Sequence, residues 1–198
     1  RKETPTKDRQ KRTRVITPSK TNIKLNLQID ATPNGQVQLL IDPEAGDLIK
    51  ANGSGSLKLV YNNQEDIKLY GNYVLSKGIY HFTLQNVIRK DFKIKEGSTI
   101  VWNGSPFTPD ININAYYSLS ASLLDILDES MLTDLKRSTV PVNCLLNLTG
   151  DLTKPNIKFD IELPSNNDEL ERRVKNVISS EEMMNREIMY LLTSINLS

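Results

Sequence analysis

Cysteine and histidine are almost absent from this chain, which holds only Cys144 and His81. One thiol forms neither an internal disulfide nor a thiolate cluster for zinc. One imidazole removes most metal and acid–base chemistry in advance. Aromatic residues amount to 6%, so any core has to be largely aliphatic. No stretch approaches the ~18 apolar residues of a membrane-spanning helix. No glycine loop of the phosphate-cradling kind is present either, since Gly53 and Gly55 fall inside a strand pattern. The chain opens at Arg1 without a leader or transit pattern, and therefore reads as a piece of a larger protein.

Charge is nearly balanced at +1 but unevenly placed. Residues 1–24 carry Arg1, Lys2, Lys7, Arg9, Lys11, Arg12, Arg14, Lys20 and Lys24 against only Glu3 and Asp8. The rest of the chain is net acidic. A basic arm of this kind can seek phosphate or an acidic membrane surface. Here Thr and Pro punctuate it and nothing aromatic is interleaved for base stacking. Residues 1–20 accordingly read as a basic, poorly ordered linker, with no nucleic-acid partner expected.

From Thr21 the chain changes to period two, the signature of half-buried strands. Ile23, Leu25, Leu27 and Ile29 alternate with polar residues, and Pro33 to Gly35 predicts a turn before Val37, Leu39 and Ile41. Ile49 to Tyr61 hold one parity, with Gly53 and Gly55 marking a bend or bulge. Ile67, Leu69, Tyr73 and Leu75 follow, and Ser76 to Gly78 is expected to turn the chain. Tyr80, Phe82 and Leu84 form the next run. Phe92 and Ile94 lead to Glu96 and Gly97, a hairpin signal, before Ile100 and Trp102. Ile111, Ile113, Ala115, Tyr117 and Leu119 alternate again. Residues 120–138 stay open between helix and strand, since Leu124, Leu127, Met131 and Leu135 have helical spacing. Val140, Val142, Cys144, Leu146 and Leu148 restore the strand, and Ile157, Phe159, Ile161 and Leu163 form the last one.

The ending is helical. Ser165 with Asp168 and Ser179 with Glu182 resemble capping boxes. Leu170, Val174, Val177 and Ile178 lie on one helical face, and Met184, Ile188, Leu191 and Ile195 on another. The expected division is a linker over 1–20, a β-domain over 21–164 and a helical segment over 165–198 that docks on the strands or extends them.

Catalysis needs a base, nucleophile or metal cluster held together. His81 points away from Tyr80 and Phe82, towards solvent, and Cys144 shares the parity of Val142 and Leu146. Glu65–Asp66, Asp168–Glu169 and Glu181–Glu182 sit at turns or helix starts, where carboxylates favour the helix dipole. Neither an enzyme nor a cofactor is expected. The informative feature is the aliphatic face shared by nearly all strands. It fits a sandwich whose inner faces bury each other, and as the functional alternative a sheet curled around a groove for a lipid chain. Composition alone favours the sandwich, which would act as an interaction module binding a protein or glycan.

A resemblance shifts that preference. Gly71, Tyr73, Leu75, Gly78, Tyr80 and Phe82, then Phe92, Ile94, Gly97, Ile100, Trp102, Gly104 and Pro106, then Ile111, Ile113, Ala115 and Tyr116, resemble the C-terminal domain of the TamB family. Leu148, Gly150, Pro155, Phe159, Leu163 and Pro164, followed by Asn185 to Leu192, look like the same domain further on. The likeness covers roughly residues 21–198 and departs at Ser105, where the family commonly carries an acidic residue. It implies a periplasmic domain of an envelope protein anchored in the inner membrane and working with a TamA-like outer-membrane barrel partner. It also implies kinship with AsmA-like and bridge-type lipid-transfer proteins, whose long β-structure curls into a taco-like hydrophobic groove. The expected fold is thus mainly β, with such a groove and short C-terminal amphipathic helices. The expected ligand is phospholipid acyl chains, and a role in outer-membrane protein assembly is also implied. Candidate groove residues are Ile23, Leu25, Leu27, Ile29, Leu57 and Leu59 on the early strands. Tyr73, Leu75, Tyr80, Phe82, Leu84, Phe92, Ile94, Ile100 and Trp102 continue the face. Ile111, Ile113, Val142, Leu146, Leu148, Ile157 and Phe159 complete it.

Overall fold

The computed structural model describes residues 21–84, 88–122, 139–164, 168–178 and 180–194. They form nine strands and two helices. The strands are β1 Lys24–Ala31, β2 Gln36–Asp42, β3 Asp47–Asn62, β4 Glu65–Leu84 and β5 Ile88–Ile94, then β6 Thr99–Gly104, β7 Asp110–Ser122, β8 Thr139–Asp151 and β9 Asn156–Glu162. The helices are α1 Asp168–Val177 and α2 Glu181–Ser194. All nine strands belong to one antiparallel sheet, not to the two stacked sheets of a sandwich.

The sheet is simpler than its strand count. β1 and β2 run end to end along β3, β1 on Gly55–Asn62 and β2 on Asp47–Asn52. β5 and β6 likewise share β4, on Ile79–Leu84 and Leu69–Val74, and both continue onto β7. β7, β8 and β9 then pair in succession. The chain is therefore an up-and-down meander of long ribbons. Three expected reversals are corrected by this pairing. Thr32 to Gly35 does close a turn, with the Gly35 N–H donating to the Thr32 carbonyl at 2.9 Å, yet the chain resumes in its former direction. Ser76 is an inserted residue within the unbroken β4, because Leu75 pairs with Gly53 and Lys77 with Asn52. Glu96 and Gly97 belong to a bulge between β5 and β6, not a hairpin.

At Ser76 the physical reason is that one inserted residue switches strand parity just as a turn does. Leu75 and Tyr80 come to the same face across Ser76 without the chain reversing.

These irregularities line up across the sheet and are stitched together by small polar side chains. Asn52 Nδ2 donates to the carbonyls of Pro33 and Gly35, and Ser76 Oγ donates to the Asn52 carbonyl at 3.2 Å. The Leu75 N–H donates to Ser98 and the Gly97 N–H to Leu75, at 2.8 and 2.9 Å. Ser98 Oγ donates to Lys95 and accepts from the Asn114 N–H, at 2.8 and 3.0 Å. Aligned bulges of this kind bend a sheet. They form a crease.

The curl is measurable. Phe82 on β4 and Phe159 on β9 meet with ring centroids 6.0 Å apart. Four interstrand steps separate those strands, roughly 19 Å if the sheet were flat. α1 and α2 pack against β9, and α2 reaches β5 as well. Leu170 and Val174 of α1, with Met184, Ile188, Leu191 and Leu192 of α2, are buried. The sequence put the α2 cap at Ser179, which lies outside the described residues, as do Ser165 and Ile195. Ser180 does the capping, its Oγ accepting the Met183 N–H at 3.1 Å. β7 continues through Ser122, and the open stretch beyond it, 123–138, also lies outside the described residues.

α1 is tied to the end of β9 by charge. Glu171 accepts the Leu163 N–H at 3.1 Å and pairs with Lys175 at 2.9 Å, while Lys175 also meets Asp160 at 3.5 Å. Burial opposes the charged form of Glu171, but Lys175 and the Leu163 amide outweigh it and hold the carboxyl below its ordinary 4.5. Burial likewise opposes the charged form of Lys175, and Glu171 and Asp160 outweigh it and raise the amine above 10.5. A depressed carboxyl stabilises fully above its unfolded value and loses that effect as pH falls through its folded one. The melting advantage of wild type over Glu171→Gln should therefore be constant from pH 4.5 up to 10.5 and fade outside that window. Melting curves of both proteins across pH check this, and a constant difference down to strong acid would contradict it.

Candidate functional site

The inner face is built by strand parity, rung by rung. Leu27 pairs with Leu59 and Leu59 with Leu69, and Ile29, Leu57, Gly71 and Trp102 form the neighbouring rung. Ile113, Leu148 and Ile157 make another on the far side. Tyr73, Leu75, Tyr80, Phe82, Phe92, Ile94, Ile100, Trp102, Ile111, Ile113, Val142, Leu146 and Leu148 are all buried there. Tyr80, Phe82, Phe92 and Tyr117 touch in an edge-to-face and tilted series, with Phe159 closing on Phe82. Leu57 and Phe159 pack partly buried against this core. The side chain of Leu84 lies outside the described part of the chain.

The two ends of this face differ. Among the described residues β1 is an edge strand, and its Leu25, Leu27 and Ile29, with Ile23 just before it, are 39–53% exposed, with half-buried Leu57 and Leu59 beside them. Ile157 is also exposed. Four aliphatic side chains in a row on an open edge form an apolar strip rather than scattered surface leucines. Past the crease, by contrast, α2 lies over the face and fills it with Ile188, Leu191 and Leu192.

Several core residues were not among the candidates although parity could have found them: Leu39, Ile41, Ile49, Ala51, Ala115, Leu119 and Ile161. The polar site at the rim had no such signal. Asp47 is 5% exposed and accepts the Tyr80 O–H at 2.8 Å and the Thr83 N–H at 2.7 Å. Burial and then Asp47 push the Tyr80 phenol well above its ordinary value, so it remains a donor. Asp47 begins a strand after a tight turn, which reads locally as turn chemistry. Its partners are far away in sequence.

A cavity of about 860 Å³ opens beside this cluster. It is bounded by the β2–β3 turn, by Tyr80, Phe82 and Thr83, by Thr153 to Phe159 on the β8–β9 side, and by Asn185 and Met189 of α2. Burial pushes the Cys144 thiol up to about 12, so it is a small core residue. His81 is partly exposed and its Nδ1 lies 2.7 Å from Asp91 Oδ1. Among the described residues no helix is long and apolar enough to cross a membrane. A family model described as the TamB C-terminal domain matches residues 1–196. No curated protein matches the chain.

Proposed function

Since the chain belongs to the family of the TamB C-terminal domain, a domain of envelope proteins, we propose that its apolar face shields or conducts phospholipid acyl chains between inner and outer membranes. In this reading the parent protein is anchored in the inner membrane, reaches through the periplasm and acts with a TamA-like barrel partner, aiding outer-membrane protein assembly as well. The domain carries out no catalysis.

The observation that supports the reading is the continuous aliphatic face whose β1 end stays open. An acyl chain laid along Leu27, Ile29, Leu57, Leu59 and Leu69 meets no hydrogen-bonding side chain on that face. Each methylene moved there from water gains ~0.8 kcal/mol. Several methylenes suffice to offset the ordering of one chain. Beyond the crease α2 covers the face, so the β1–β3–β4 half is the stretch that receives lipid in this conformation.

The chain purified without detergent should carry phospholipid detectable by mass spectrometry and should bind a fluorescent phospholipid. Leu27→Asp or Leu59→Asp should abolish that binding with the fold retained, because these side chains are only partly buried. Gln28→Asp, on the opposite face of β1, should leave it intact. Equal loss from Leu27→Asp and Gln28→Asp, or no lipid recovered from wild type, would remove the reading. A second reading draws on the same edge: among the described residues one side of the β1 backbone is unpaired, and a partner's strand can add there. Proline placed at alternate β1 positions would weaken strand addition at the bonding positions and leave acyl binding unchanged.

A further inference from the structure

We infer that the cavity between the β2–β3 turn, the β8–β9 turn and α2 seats the head group of an amphiphile bearing a primary ammonium. This rests on the acyl-binding reading and specifies which lipids the domain prefers.

The cavity is amphipathic in a particular way. Phe82, Ile157, Phe159 and Met189 supply an apolar wall, and its volume of about 860 Å³ suits a head group with the first part of its chains. Its polar groups are short of donors. The buried Asp47 carboxylate takes bonds from the Tyr80 hydroxyl and the Thr83 amide, but no cation pairs with it among the described residues. Two bonds leave acceptor capacity on its oxygens. Asn185 Oδ1, on α2 at the same cavity, is buried with no partner. Asp42 and Glu44 on the adjoining turn add to the negative field.

A primary ammonium answers all of these at once, having three N–H donors and a positive charge. A quaternary ammonium carries the charge without the donors and would leave Asn185 unsatisfied. Lys154, on the β8–β9 turn, is the basic side chain lining this cavity and suits the neighbouring phosphate of a zwitterionic head. The apolar wall argues for a lipid over a free amine, since a soluble amine has nothing to place against Phe82 and Phe159.

The test uses the full chain and short-chain lipids below their micelle concentration, read by calorimetry. Dihexanoyl-phosphatidylethanolamine should bind about tenfold tighter than its choline and glycerol counterparts, the low end of what one buried polar group left unsatisfied costs. Glycerophosphoethanolamine, which lacks acyl chains, should bind at least tenfold more weakly than the lipid. Asp47→Asn keeps an acceptor for Thr83 and should bring the ethanolamine and choline lipids to within about twofold. Asn185→Leu, a second variant at a half-buried position of α2, should reduce the preference in the same direction if Asp47→Asn does not fold. Equal binding of the three head groups, unchanged by either variant, would overturn the inference and leave the acyl-binding reading standing. Tight binding of glycerophosphoethanolamine would overturn it in favour of a soluble amine. No binding of any lipid to wild type would remove both.

Discussion

Ile113→Asp should leave no folded domain, whereas Asn112→Asp, one residue away, should melt within about 2 °C of wild type. Ile113 is wholly buried between Leu148 and the crease, and Asn112 is exposed on the other side of β7. Removing the aliphatic side chain alone costs roughly 2–5 kcal/mol. An unpaired buried carboxylate adds several more, or must take up a proton. The whole stability of a domain is about 5–15 kcal/mol, so the sum exhausts most of it. Asn112 only accepts a bond from Asn147 Nδ2, at 3.3 Å, which an aspartate also accepts. Circular dichroism and soluble yield decide the matter, and a folded, cooperative Ile113→Asp protein would show that the face is not a packed core. The same reasoning governs how lipid passage is to be probed. Charges at Leu75 or Ile113 report on folding, because both are fully buried. Charges at Leu27 or Leu59 report on the open strip.

Gly71→Ala should lower the melting temperature several times more than Gly97→Ala. Both glycines have positive φ, 128° and 88°, so each alanine meets backbone strain of about 1 kcal/mol or a little more. Space separates the two cases. A Cβ at Gly97 has nothing within 4 Å, while one at Gly71 runs into the Ser56 carbonyl oxygen and the Leu57 backbone on β3. That carbonyl belongs to the longest strand pairing of the sheet and cannot retreat without breaking the ladder beside it. We expect a loss of about 3 kcal/mol or more at Gly71, or roughly 6–12 °C for a domain of this size, against about 2–4 °C at Gly97. Equal shifts would mean that β3 and β4 approach less closely at Gly71 than described.

The contrast between Gly71 and Gly97 shows where reading from sequence runs out. Both are glycines beside alternating runs, and only the partner strand distinguishes a crowded position from an open one. The polar rim is the same case. Asp47 follows Gly46 at the start of a strand, and locally it looks like turn chemistry. Its burial depends on Tyr80 and Thr83, which reach it through the pairing of β3 with β4. The stripe of α2 was visible as Met184, Ile188 and Leu191, but its destination on β9 and β5 was not.

What the sequence by itself determined is therefore local: strand against helix, and which side chains share a face. Period two decides this because successive side chains of a strand must point to opposite sides. That was enough to read a mainly β chain with one aliphatic face and two terminal amphipathic helices. The tertiary structure alone decided direction, register and curl. At Ser76 the parity switch is identical for a reversing hairpin and an inserted residue, and at Glu96–Gly97 the turn residues read the same whether or not the chain reverses, so nothing local separates them. Hydrogen bonds from Leu75 to Ser98 and from Lys95 to Asn114 do, because they hold the chain on its course across neighbouring ribbons. The alignment of those insertions makes the crease that brings Phe82 against Phe159. Such a contact arises from many strands bending together, and no window of the sequence contains it.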